Sequence, residues 1–237
     1  MAALIHDRAV LKDPDLGRTV TAAVKLAIEN QWMHDEIRAG AREARTLPDG
    51  VVTFLFTDIE DSTGLVRRFG DRYDQLLSDI RRILRSAIRA AGGREVETRA
   101  DEMFAVFEEA RAGVEAAIAI QRKIQARAWP EGARVRIRIG LHTGRPTLTD
   151  TGYMGLAVHT AARICFASHG AQILLSGAVR EAVAGSAPAG ITFRELGKFQ
   201  LQGLPESETL LQVEATDLPN EFPPPRIPAS RSDSQIN

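Results

Sequence analysis

The feature that most limits what this chain can fold into is one short run, Val51-Val52-Thr53-Phe54-Leu55-Phe56, that ends at once in Thr57-Asp58-Ile59-Glu60-Asp61-Ser62-Thr63. Six residues rich in β-formers, with no polar alternation, predict a buried strand. A buried strand needs a domain around it, and its acidic end places carboxylates at the margin of that domain's core.

The segments that follow build the domain. Tyr73, Leu76, Leu77, Ile80, Leu84 and Ile88 fall on one face of a helix, which Ala91-Gly92-Gly93 stops. Arg94–Arg99 and Met103–Phe107 read as two strands with Ala100-Asp101-Glu102 between them, so Asp101 is expected at a hairpin tip. Ala110, Val114, Ala117, Ile118, Gln121 and Ile124 mark a second helix. Val135, Ile137 and Ile139 alternate with Arg136 and Arg138 as a half-buried strand does, and Gly140 to Gly144 are expected to close it. A Thr-, Asp- and Gly-bearing loop to Gly155 precedes a helix over 158–167 and a short strand over 172–176. A helix near 179–184 and strands near 191–196 and 210–213 follow. This alternation lacks the regular βαβ rhythm of a doubly wound sheet. It predicts an α+β sandwich, a mixed or antiparallel sheet with flanking helices.

Three segments follow from the same reading. Residues 1–49 carry Val20, Val24, Ile28 and Trp32 at four-residue spacing, an amphipathic helical segment. It either packs on its own domain or binds a partner or second copy. Residues 50–215 form the folded domain. Residues 216–237, rich in proline and serine, are expected to be a disordered tail. Composition excludes other classes. The 30 basic and 31 acidic residues nearly cancel, which argues against a nucleic-acid-coating protein. Cys165 is the single cysteine, so neither an intrachain disulfide nor a cysteine-rich zinc site can form. No apolar run reaches the ~18–20 residues that cross a bilayer, and charges interrupt the first residues where a secretory signal needs an apolar core. The chain is expected to be cytoplasmic. Only Lys12, Lys25, Lys123 and Lys198 are lysines.

Two aspartates carry candidate chemistry. Asp58 closes a buried strand and Asp101 sits at a hairpin tip, places from which carboxylates can converge on a hard cation. Each can equally cap its own turn. His159 and Arg163 lie four apart on one helix face, where a guanidinium fork can clamp a phosphate.

The motifs quoted so far also match a pattern as a set. Phe54-Leu55-Phe56-Thr57-Asp58-Ile59-Glu60-Asp61-Ser62-Thr63 resembles the opening strand of the class III nucleotidyl cyclase catalytic domain. Val96 to Phe104 is similar to its Gly-Asp hairpin, and Arg138-Ile139-Gly140-Leu141-His142-Thr143-Gly144 to its central strand. Tyr153-Met154-Gly155 with Val158 to Ile164, His169 to Ser176, and Leu196-Gly197 through Leu204-Pro205-Glu206 resemble the segments that follow, in order. The resemblance implies a ferredoxin-like α/β sandwich that joins the 3′-hydroxyl of ATP or GTP to its own α-phosphate and releases pyrophosphate. It implies two divalent cations per site, Mg²⁺ or Mn²⁺, held by Asp58, Asp101 and the Ile59 carbonyl. Arg163 would stabilise charge on the α-phosphoryl oxygens. The site would form between two chains, a homodimer or a heterodimer with another cyclase chain.

Four positions depart from that pattern. The adenine-reading lysine is Glu97, the second base reader is Gly152, the ribose-orienting asparagine is His159, and the glycine before Asp101 is Ala100. Glu97 matches the guanine-reading glutamate of guanylyl cyclases, because a carboxylate accepts from N1–H and the 2-amino group of guanine. The expectation is a slow cyclase of purine nucleoside triphosphates, with a degenerate nucleotide-binding or regulatory dimerisation partner as the alternative.

Overall fold

The computed structural model of the protein describes residues 47–150 and 152–227. The expected N-terminal helical segment lies outside the described residues except for its last three. The elements run β1 (Val52–Ile59), α1 (Ser62–Phe69), α2 (Tyr73–Ala90), β2 (Arg94–Arg99), β3 (Glu102–Phe107), α3 (Ala110–Ala126), β4 (Ile137–Gly144), β5 (Thr147–Thr149), β6 (Gly152–Met154), α4 (Leu156–Ala167), β7 (Ile173–Ser176), α5 (Gly177–Ala182), β8 (Ile191–Phe199) and β9 (Glu208–Ala215). Seven strands form one sheet in the order β2-β3-β1-β4-β7-β9-β8. Only the β4–β7 pair is parallel. The first four strands and their helices repeat the split βαβ unit of a ferredoxin-like sandwich. The expected α+β fold is the observed one.

Burial explains why β1 shows no polar alternation: both faces of the sheet are covered at that strand. Leu55 and Ile59 meet α2 and α3 through Leu76, Ile80, Leu84, Val114 and Ile118. Val52 and Phe54 point the other way, into a smaller cluster with Phe104, Val106, Tyr153 and Ala161 of α4. Among the described residues, helix α4 thus lies on the face opposite α2 and α3. Cross-strand charge fixes the register of β1 against β4. Asp58 stands opposite Arg138, and Glu60 pairs with Arg136 one step further on.

Four features differ from the sequence expectation. Strand β4 continues through Gly140 to Gly144, because these glycines lie beneath α4 and do not break the strand. Helix α1 has no counterpart in the sequence pattern; Asp61 caps it, accepting from Gly64 N at 3.3 Å. The 145–155 loop contains the β5–β6 hairpin. The C-terminal segment is not loose up to residue 227. Arg226 N donates to Ala167 O (2.8 Å), and Ile227 packs on the cluster of Ile164, Leu174 and Leu201.

Candidate active site

Asp58 is the last but one residue of β1 and is 7% exposed. Arg138 Nη1 donates to its Oδ2 at 2.6 Å. Burial pushes the Asp58 carboxyl up to about 6 against the pull of the Arg138 cation, and the charges of Asp101 and Glu102 push the same way. The fold therefore brings the two sequence-predicted aspartates into one electrostatic neighbourhood. Two arginines of α2 hold the hairpin that delivers Asp101. Arg85 grips Glu95 of β2 through Nε and Nη2 (2.7 and 2.8 Å), and Arg81 Nη2 donates to Ala100 O (2.5 Å). Ala100 itself has φ 46, the left-handed region, so the tip does need the conformation that glycine adopts freely.

His159 and Arg163 ride together on α4, His159 exposed and Arg163 half-buried. Their depth is set by backbone contact. A Cβ on Gly140 would lie 2.2 Å from Cys165 N and 2.6 Å from its Cα, so α4 rests directly on the β4 main chain. Arg163 opens into a cavity of about 380 Å³ shared with Arg138 and Arg226.

The two base-position residues lie close to one another. Glu97 is exposed on β2, 3.7 Å from Arg99. It lines a small hollow with Phe56 and Phe104, whose rings stack at 4.4 Å. Gly152 is buried, and a Cβ there would sit 3.7 Å from Val96 Cγ1, beside Glu97. There is space for a side chain but the backbone resists one, since φ is +127.

The donor set fits a hard cation. Asp58, Asp101 and the Ile59 carbonyl are all oxygen donors, and Mg²⁺ held on phosphates takes one or two carboxylates. Among the described residues no group of three His, Cys, Asp or Glu side chains converges, so substrate oxygens would complete such a site. Sequence reasoning missed three neighbours. In the sequence Arg138 reads as one of two arginines on the polar side of a half-buried strand, yet its side chain is only 15% exposed and among the described residues its buried Nε has no partner. Glu102 and Tyr73 also feel Asp101: burial, then that charge, raises both. Only the charge complement of Asp58 and Glu60 with Arg138 and Arg136 signalled any of this in advance.

Comparison with known proteins agrees with the geometry. The model of the adenylate and guanylate cyclase catalytic domain matches residues 46–214. An uncharacterised protein of Mycobacterium tuberculosis is 32% identical over 227 residues, covering 94% of this chain and 74% of its own. Among solved structures, an adenylate cyclase of Trypanosoma brucei in its monomeric state superposes with TM-score 0.70 at 25% identity, over 76% of this chain and 96% of that one. An adenylate/guanylate cyclase/hydrolase from Silicibacter pomeroyi gives TM-score 0.61 at 26% identity, over 72% and 99%. The chain belongs to the adenylate and guanylate cyclase catalytic domain family.

Proposed function

We propose that this protein is a class III nucleotidyl cyclase of low activity, acting on ATP or GTP across an interface between two chains. The observation that supports the reading is that Asp58, near the end of β1, feels the charge of Asp101 from the β2–β3 turn, with Arg163 held on a separate helix. In the proposed reaction the 3′-hydroxyl oxygen attacks the α-phosphorus, the bond to pyrophosphate breaks, and the hydroxyl proton passes to solvent. Asp58, Asp101 and the Ile59 carbonyl would hold divalent cations, which would supply Lewis-acid polarisation of the phosphoryl oxygens. Arg163 stabilises the charge gathering on those oxygens. His159 offers a ring nitrogen to the ribose, and Glu97 accepts from guanine better than from adenine. Gly152 contributes no side chain, which loosens base choice and slows turnover.

One observation favours a second reading, a regulatory cyclase-homology partner: the Asp58 carboxylate already has a cation, Arg138, at 2.6 Å. A single assay separates the two. Purified protein is incubated with Mn²⁺ and ATP or GTP, and the 3′,5′-cyclic product is measured by mass spectrometry beside Asp58→Ala. Product from the native chain and none from the variant supports the cyclase. Equal signals at high protein concentration reject it.

A further inference from the structure

Residues 216–227 fold back along the body and end beside Arg163. Ala167 O, at the end of α4, accepts from Arg226 N at 2.8 Å, and His169 Nε2 lies 3.0 Å from Pro224 O. Ile227 packs with Ile164, Leu201 and Leu204. These contacts seat Arg226 on the wall of the cavity of about 380 Å³ that Arg138, Arg163, Phe166, Leu201 and Gln202 also line. The charge there is lopsided. Among the described residues, the guanidinium groups of Arg163 and Arg226 form no ion pair with a carboxylate. Among the described residues the Arg138 Nε has no hydrogen-bond partner, and no carboxylate lines the cavity. Arg138 is already engaged by Asp58, but the two guanidinium forks of Arg163 and Arg226 around one apolar-walled hollow match an anion with many oxygens better than a single carboxylate.

We propose that Arg226 is a polyphosphate-binding residue, and that the C-terminal segment is the strap that delivers it to a subsite shared with Arg163. This deepens the cyclase reading and rests on it for identifying the polyphosphate as the triphosphate or pyrophosphate end of the reaction. The strap makes a testable demand: a residue outside the span of the family match, 46–214, binds the ligand.

The experiment uses the full chain and inorganic pyrophosphate in EDTA, so that arginine is tested without a metal. Calorimetry compares the native protein with Arg226→Ala, Arg226→Lys and a charge control on α1, Arg67→Ala. Losing one charge-assisted phosphate contact weakens binding about tenfold or more. Arg226→Ala is expected to show that loss with an unchanged melting temperature, since the side chain is exposed. Arg226→Lys recovers part of the affinity, and Arg67→Ala binds as the native chain does. ATP and GTP displace the pyrophosphate, whereas adenosine and guanosine do not. The proposal is overturned if the native chain does not bind pyrophosphate, if Arg226→Ala binds as tightly, if Arg67→Ala weakens binding equally, or if nucleotides fail to compete. Arg226-dependent, nucleotide-displaced binding in a chain that makes no cyclic product would leave this subsite standing and sink the cyclase reading alone.

Discussion

Substituting Gly140 with alanine tests how α4 is positioned, and through it the placement of Arg163 and His159. The added Cβ meets Cys165 N at 2.2 Å and Cys165 Cα at 2.6 Å. Ordinary non-bonded contacts begin near ~3.5 Å, so α4 must lift from β4 by on the order of 1 Å. The obstacle is main chain, so no rotamer change relieves it, and removing the thiol with Cys165→Ala does not restore the native state. Overpacking of this kind costs about 1–3 kcal/mol of stability. A displacement of ~1 Å in a catalytic group can cost on the order of 100-fold in rate. Gly144 supplies the comparison. A Cβ there meets only the Ala157 methyl at 2.8 Å and the His142 ring at 3.1 Å, so Gly144→Ala should be the milder change. The assay is urea unfolding followed by circular dichroism, alongside turnover of ATP and GTP. A Gly140→Ala protein with the native unfolding midpoint, or a Gly144→Ala protein the more damaged of the pair, would refute the close approach of α4 to β4.

Three further outcomes follow from the hairpin, from His142 and from Asp58. Ala100→Gly relieves a φ of 46 and should raise stability by about 1 kcal/mol, read as a higher melting temperature. Burial holds the His142 ring down to about 4. Its contribution is intact above the unfolded value of 6.5 and is lost as pH falls towards 4, because the unfolded chain takes up the proton first. His142→Gln should therefore lose about 2 kcal/mol less than the native protein between pH 7 and pH 4.5 in urea titrations. Asp58 runs the other way. With its carboxyl raised to about 6, its stabilising share is full below 3.8 and is lost as pH rises through 6. A cation at the proposed Asp58 site would compete with that proton, so Mn²⁺ should raise the melting temperature at pH 7. Its apparent affinity should drop about tenfold at pH 5, and Asp58→Asn should abolish the shift.

Much of this fold was legible because local signals and global packing agree in it. The β1 run, the glycine stop after α2 and the alternation entering β4 each follow from a single period. The expected hairpin tip at Asp101 matches the break between β2 and β3. Other features were hidden by context. A glycine within a strand reads as an end, and only the approach of α4 shows that Gly140 is required within β4. Helix α1 spans eight residues, too short for its stripe of Leu65 and Phe69 to stand out. Arg138 sat on the polar side of an alternating strand, and no one-dimensional pattern shows that this side is covered. Proline and serine content pointed to a loose tail, but composition says nothing of the hydrogen bond from Arg226 N to Ala167 O. The candidate residues Asp58, Asp101, His159 and Arg163 stood out by their positions in the sequence pattern, whereas their roles, and the choice of Glu97 and Gly152, came from resemblance. The fold explains their surroundings, including why glycine suits position 152.

The central claim is that Asp58 and Arg163 serve one reaction from two different chains. The most direct test mixes two inactive proteins, Asp58→Ala and Arg163→Ala, and measures cyclic nucleotide formed with Mn²⁺. Random pairing makes half the dimers mixed, each with one intact site, so activity should return to about a quarter of the native value. Native protein that turns over substrate while the mixture stays at the level of its inactive parents would contradict a site shared between chains.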